Sequence, residues 1–225
     1  MRTRGLIIAI DGVVGAGKTA TSKLVAEQLG YRHIDTGAMY RAVTLAATRN
    51  GVGPGDIPAL QNLLASLTVD LQPRAQGGRI LLNEKDVSEE IRQPEINRLV
   101  GSYADVPEVR RGLVSQQQRL GHAGGIVAEG RDMATVVFPG AELKVRMVAD
   151  LDERVNRRYR EMAEKGIDID KSQLRADIEA RDREDAERDY GGTFDEAQVI
   201  EIDTTAMTLE GQVEYIIDLA HKNGA

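Results

Sequence analysis

The sequence has no cysteine and no tryptophan, only three histidines and few aromatics, and each shortage removes a class of function. Without cysteine there is no disulfide, no thiolate-held zinc and no thiol nucleophile. His33, His122 and His221 lie far apart and have no metal-ligand spacing. Aromatics at 4% cannot furnish an extended stacking platform for single-stranded nucleic acid. The net charge of −7 gives no positive footprint for a nucleic-acid polymer. A few clustered arginines can still take a small anion within an acidic protein. Long apolar runs are missing too. No stretch approaches the roughly 18 residues of a membrane span, and Leu6–Ile10 is too short for the apolar region of a secretory signal. A cytoplasmic location, with no membrane partner, is the expectation.

What remains is an ordinary globular composition: 225 residues, 41% hydrophobic and 29% charged, enough for one domain with insertions. The apolar run Leu6–Ile10 reads as a strand buried on both faces, as in a parallel sheet. Helical spacing follows over Lys18–Leu29, closed by Gly30, then a short strand over Tyr31–Asp35 and a helix over Ala38–Arg49 that ends at Gly51-Val-Gly-Pro-Gly. Strand, helix, strand, helix is the α/β pattern.

The middle of the chain differs. Thr68–Leu71 and Arg79–Leu82 flank Gly77-Gly78 as a hairpin, Asp86 and Val87 offer a short edge, and Ser88-Glu-Glu-Ile resembles a capped helix start. Pro94 and Pro107 open helices over about 94–104 and 107–121. Strands then recur over Ile126–Ala128, Leu143–Val148 and Val199–Ile202. Charged helices are predicted over Leu151–Lys165, ended by Gly166, and over Lys171–Arg188, with a last helix over Leu209–Lys222.

The segment Gly12-Val13-Val14-Gly15-Ala16-Gly17-Lys18-Thr19 fits G-x-x-x-x-G-K-[ST] in full, and Ala20 follows inside the helix. The spacing has a physical basis. Glycines permit positive φ and close backbone approach, so successive N–H groups can cradle a β-phosphate at the positive end of the following helix. Lys18 can reach the β- and γ-phosphates, and the Thr19 hydroxyl can ligate Mg²⁺. A nucleoside triphosphate, ATP above all, is the expected ligand. The loop does not say what happens to it. A guanine-specific Asn-Lys-x-Asp motif and a transporter-type Leu-Ser-Gly-Gly-Gln signature are both absent.

Further motifs follow in order: Asp35-Thr-Gly-Ala-Met-Tyr-Arg41, Val106-Pro-Glu-Val-Arg110, Glu129-Gly-Arg131-Asp132-Met-Ala-Thr-Val-Val-Phe-Pro139, Arg181-Asp-x-x-Asp185-x-x-Arg188 and Ile202-Asp-Thr-Thr205. Together these resemble the bacterial cytidylate kinases over about residues 6–220. The resemblance implies an ATP-dependent kinase that phosphorylates CMP or dCMP with Mg²⁺; a monomer is the expectation, although the sequence does not give the oligomeric state. The implied architecture is a P-loop nucleoside-monophosphate-kinase fold: a central parallel sheet of about five strands flanked by helices, a small β-containing insertion that binds the monophosphate, and a helical lid. The core would comprise 1–66, 94–152 and 195–225, the insertion 67–93, extended by flanking helices over 38–66 and 94–121, and the lid 153–194.

The resemblance also implies roles. Arg41 and Arg131 would hold the CMP phosphate, Thr36 the base or its surroundings, and Arg110 and Asp132 the cytosine edge. A carboxylate accepts from the amino group of cytosine, and a guanidinium serves its acceptors. Where the family places a serine against the base, this chain has Gly101 with Ser102 beside it.

Arg154, Arg157 and Arg158, and likewise Arg181, Asp185 and Arg188, recur at spacings that put each set on one helical face. A solvated, salt-bridged helix pair would produce the same pattern. On the kinase reading, Arg157, Arg181 and Arg188 close over the transferring phosphoryl with Lys18 and Arg131, and Asp185 takes the ribose hydroxyls. After Arg188 the chain runs Asp189-Tyr-Gly-Gly-Thr-Phe, where the family commonly has a proline-containing stretch. A kinase of another small metabolite and a nucleotide-binding module without turnover are the competing readings.

Overall fold

The computed structural model describes residues 4–72, 78–164, 166–188 and 198–225. Gly77 of the expected turn, Lys165 at the expected helix end and the 189–194 segment lie outside them. The chain divides into two compact units, residues 1–31 with 124–225 and residues 32–123.

The first unit is built on parallel strands. β1 (Ile7–Gly12) pairs on one side with β6 (Ile126–Glu129) and on the other with β7 (Leu143–Val148), which in turn pairs with β8 (Ile200–Asp203). Within this unit the strand order is β6-β1-β7-β8, and β2 (Arg32–Asp35) opens the second unit. β1 is central, so both its faces are covered. Ile7 to Ile10 are almost fully buried, which explains the unbroken apolar run. β7 alternates instead, with Leu143, Val145 and Met147 inward.

Helices α1 (Lys18–Leu29) and α8 (Leu209–Lys222) pack on this sheet through Val25, Ala26, Val213, Ile216 and Ala220. Gly30 takes the left-handed conformation that ends α1. Helices α6 (Leu151–Glu164) and α7 (Lys171–Glu187) pair over a small apolar cluster of Val155, Leu174 and Ile178, with Asp170 capping α7.

The second unit carries α2 (Thr36–Arg49) and α3 (Ile57–Ser66), then an antiparallel three-stranded sheet of β3 (Val69–Gln72), β4 (Arg79–Leu82) and β5 (Lys85–Asp86). Helices α4 (Pro94–Ala104) and α5 (Pro107–Gly121) follow, each with its proline in the first turn. α2 packs on α4, and α3 on α5. Tyr103 anchors α4 by donating its hydroxyl to the Val52 carbonyl at 2.7 Å.

Two local expectations are corrected here. Ser88 does not cap a helix. Its hydroxyl donates to Asp86 at 2.6 Å and accepts from the Ile80 amide at 3.0 Å, so the sheet edge consumes it. Glu90–Arg92 makes only a single 3₁₀ turn, because Pro94 forces Gln93 into extended backbone. Beyond the glycine break at 51–55, the sequence pattern identified no separate helix start. Asp56 supplies one by accepting from the Ala59 amide at 3.1 Å, and Pro58 sits in the first turn.

The central position of β1 gives a stability prediction. Ile8→Ala removes a side chain that is 0% exposed between two paired strands and should cost about 2–5 kcal/mol in urea unfolding.

Candidate active site

The P-loop leaves β1 at Gly12 and enters α1 at Lys18. Glycine is required at both ends of the loop. A Cβ on Gly12 (φ +147°) would lie 2.0 Å from the Met147 carbonyl oxygen of β7. One on Gly17 (φ +96°) would lie 2.8 Å from Gln212 Oε1.

The loop's carbonyls are held by side chains. Lys18 Nζ donates to the carbonyls of Gly12 and Val13, each at 2.7 Å. The Val14 carbonyl accepts from Arg154 Nη1 at 3.2 Å. The Ala16 carbonyl accepts from Arg157 Nη1 at 3.3 Å and from the Thr204 hydroxyl at 2.9 Å. Arg157, expected among the phosphoryl-facing arginines, thus has its contacts on the P-loop backbone, on Thr204 and on Glu153 (3.0 Å). Gln212 supports the same region by accepting from the Thr21 hydroxyl at 2.7 Å.

Two acids beside the loop have no role assigned by the sequence, although Glu129 opens the Glu129–Pro139 motif. Glu129, buried at the end of β6, accepts from the Thr19 hydroxyl at 2.8 Å. Asp11, the residue before Gly12, accepts from the Met133 and Ala134 amides, each at 2.8 Å. Those two bonds anchor the π-helical turn Met133–Val137 directly after Arg131 and Asp132. Only their place at the ends of parallel strands, where α/β sheets gather ligands, could have marked these acids.

Arg131 Nε meets Asp185 Oδ2 at 2.8 Å, and Arg188 Nη1 meets Asp185 Oδ1 at 2.8 Å, so one carboxylate of α7 holds two of the expected phosphate-binding arginines. Asp132 is buried beside them. Arg181 differs: its Nε is buried and has no hydrogen-bond partner. Arg158 pairs with Glu161 at 2.6 Å as part of an exposed ion pair.

In the second unit, Asp35 caps α2 by accepting from the Ala38 amide at 2.8 Å, and its other oxygen lies 3.4 Å from Arg41 Nη2. Thr36 is buried in the first turn of α2. The Arg41 Nε is buried without a partner, like that of Arg181. Ser102 is exposed on α4, and Arg110 is half-buried in the first turns of α5.

Burial dominates the electrostatics. It pushes the Asp11 carboxyl up to about 6, against the pull of its two amide donors. It lowers the Lys18 ammonium to about 7, assisted by the positive charge of Arg131 and opposed by Glu129, Asp11 and Asp185. At pH 8 most of the free protein therefore carries neutral Lys18. Polyphosphate charge favours the ammonium, so binding must draw in a proton. Calorimetry of a non-hydrolysable ATP analogue at pH 8, in buffers of different ionisation enthalpy, should register proton uptake that Lys18→Met loses. Equal uptake in both proteins would exclude Lys18 as its source.

Among the described residues, no group of three or more His, Cys, Asp or Glu side chains is placed to hold a metal ion, and no helix is long and apolar enough to cross a membrane.

The chain matches the family model described as cytidylate kinase over residues 8–222. It is 40% identical over 216 residues to a cytidylate kinase of Streptococcus thermophilus (strain ATCC BAA-491 / LMD-9), covering 96% of each chain. It is 44% identical over 211 residues to a cytidylate kinase of Pelotomaculum thermopropionicum (strain DSM 13744 / JCM 10971 / SI), covering 93% of each. Among solved structures, an uncharacterized protein from Eubacterium ventriosum ATCC 27560 superposes with a TM-score of 0.51 at 13% identity, over 96% of this chain and 98% of that one, a likeness of fold alone. With the match running through the P-loop and every arginine motif, the chain belongs to the cytidylate kinase family.

Proposed function

We propose that this protein transfers the γ-phosphoryl group of ATP to CMP or dCMP, giving ADP and CDP or dCDP. The observation that carries the reading beyond nucleotide binding is the pair of buried, unpartnered guanidinium donors, Nε of Arg41 and Nε of Arg181. A buried donor without an acceptor costs about 1–3 kcal/mol unless a ligand supplies one. A phosphate oxygen does so with charge assistance. The cytosine preference rests on the relatives' activity, on the buried Asp132 carboxyl and on Arg110.

The donor polyphosphate lies in the cradle from Gly12 to Ala20, with Lys18 keeping its two carbonyl partners and turning its third ammonium N–H to the β- and γ-phosphates. Thr19 and Glu129 present a hydroxyl and a carboxylate 2.8 Å apart, hard oxygen ligands that suit Mg²⁺. When bound there, the ion neutralises charge on the phosphate oxygens. Arg41 and Arg131 bind the acceptor phosphate, with Thr36, Ser102, Arg110 and Asp132 around the base. Asp185 takes the ribose hydroxyls, which releases Arg131 and Arg188 to the phosphates. Arg181 and Arg188 stabilise the charge spread over the transferring group. Arg157 acts one step back, through the P-loop carbonyl and Thr204 that it holds.

No general base is needed, because the acceptor phosphate is already an anionic nucleophile. The segment 67–93 with its flanking helices forms the acceptor-binding part of this reading, and 153–194 forms the lid. A polar helix pair has little apolar area to hold it shut, so it can open and close, excluding water when both substrates are present. ATP is then not wasted on hydrolysis. The protein acts in the cytoplasm as a monomer.

ADP production on addition of each monophosphate tests the proposal. CMP and dCMP should give fast turnover, with UMP, AMP and GMP far slower. Turnover only with a non-nucleotide acceptor, or none with any acceptor, would replace the reading with another kinase or with a binding module. Lys18→Ala should abolish transfer, and Arg188→Ala should lower kcat/KM for CMP by roughly a hundredfold or more.

A further inference from the structure

The sequence groups Arg154 with Arg157 and Arg158 on one face of α6, yet the three make different contacts. Arg154 is the most deeply set, 7% exposed. Its Nε donates to the Ala149 carbonyl, just past β7, at 3.0 Å. Its Nη1 lies 3.2 Å from the Val14 carbonyl of the P-loop and 2.6 Å from Asp182 Oδ2 of α7. A Cβ added to Gly15 (φ +78°) would stand 3.0 Å from the Arg154 Cβ, so the loop lies directly on this residue. Val14 itself packs against the cluster of Val155, Leu174 and Ile178 that joins α6 to α7.

One guanidinium thus holds the end of a sheet strand, the P-loop backbone and the helix carrying Arg181, Asp185 and Arg188. The second oxygen of Asp182, Oδ1, is buried without a hydrogen-bond partner. The carboxylate therefore depends on Arg154, and α7 is penalised wherever the two separate.

We propose that Arg154 and Asp182 form a positioning pair that couples occupancy of the P-loop to the placement of α7. A ligand that fixes Val14 and Gly15 fixes Arg154, and through Asp182 it sets the helix from which Arg181 and Arg188 act. Neither residue touches substrate. The purpose of the coupling rests on the phosphoryl-transfer reading above, but the coupling itself is a property of the loop and the helix. Arg154 serves its three acceptors from two nitrogens of one rigid planar fork, Nε and Nη1, a geometry the single flexible ammonium of lysine does not reproduce.

The test is amide hydrogen exchange across α7, with and without the Mg²⁺ complex of a non-hydrolysable ATP analogue. In the wild-type protein the analogue should slow exchange in α7. In Asp182→Asn, which keeps the side-chain volume, and in Arg154→Lys that protection should be lost while the melting temperature of the first unit is retained. kcat should fall on the order of tenfold in each variant, and the double variant should be no worse than either alone, the signature of a contacting pair. Full protection in the single variants, or kcat losses that multiply, would overturn the proposal. So would α7 exchanging freely in the variants with a collapsed melting transition, which would mark a purely structural bond. Wild-type protein that protects α7 on binding the analogue yet leaves CMP unphosphorylated would sink the acceptor reading and leave the coupling standing.

Discussion

A phosphate cradle made of backbone N–H groups imposes a constraint on its other half. When the amides of a tight loop turn toward a ligand, the carbonyls turn away and must find donors elsewhere. Here Gly12 and Val13 are served by Lys18, Val14 by Arg154, and Ala16 by Arg157 and Thr204. The donors come from α1, α6 and the loop after β8. The P-loop is therefore shaped by the first unit as a whole, and the charged helix α6 works as its outer wall. The near-zero exposure of β1 fixes where the loop starts, and these donors fix how it lies.

The same economy governs charge. Four side chains with formal charge, Asp11, Lys18, Glu129 and Asp132, are buried next to one another at the ends of β1 and β6. Burial alone would expel such charges, and it moves both Asp11 and Lys18 toward their neutral forms. Lys18 rests on carbonyls, and Asp185 stands between Arg131 and Arg188 as an internal anion. On the proposed kinase reading a polyphosphate would add negative charge here, so binding and ordering of the site would share one electrostatic source.

Much of this was legible in the sequence because it depends on local rules. The G-x-x-x-x-G-K-T spacing needs only backbone geometry, Leu6–Ile10 needs only burial on both faces, and Pro94 and Pro107 announce α4 and α5 through their missing amides. Ser88 was misleading because the signal for a helix cap is the same as for a side chain that closes a sheet edge. The contacts of Asp11 and Glu129 were silent because their partners are 122 and 110 residues away in the chain. Helical spacing put Arg154 and Arg157 on one face of α6 but could not say that the face lies against the P-loop. Long-range hydrogen bonds of buried polar groups leave no period in the sequence.

The claim that outward carbonyls must be satisfied for the cradle to hold phosphate has a direct test away from the ligand. Arg157→Met combined with Thr204→Val removes both donors from the Ala16 carbonyl, keeps the aliphatic stem of the arginine and touches no phosphate. The dissociation constant of Mg²⁺-ADP should rise about tenfold, the cost of roughly one unsatisfied buried carbonyl, with the thermal transition of the free protein largely kept. An unchanged dissociation constant would contradict the account, because the loop would then hold its shape without the donors beneath it.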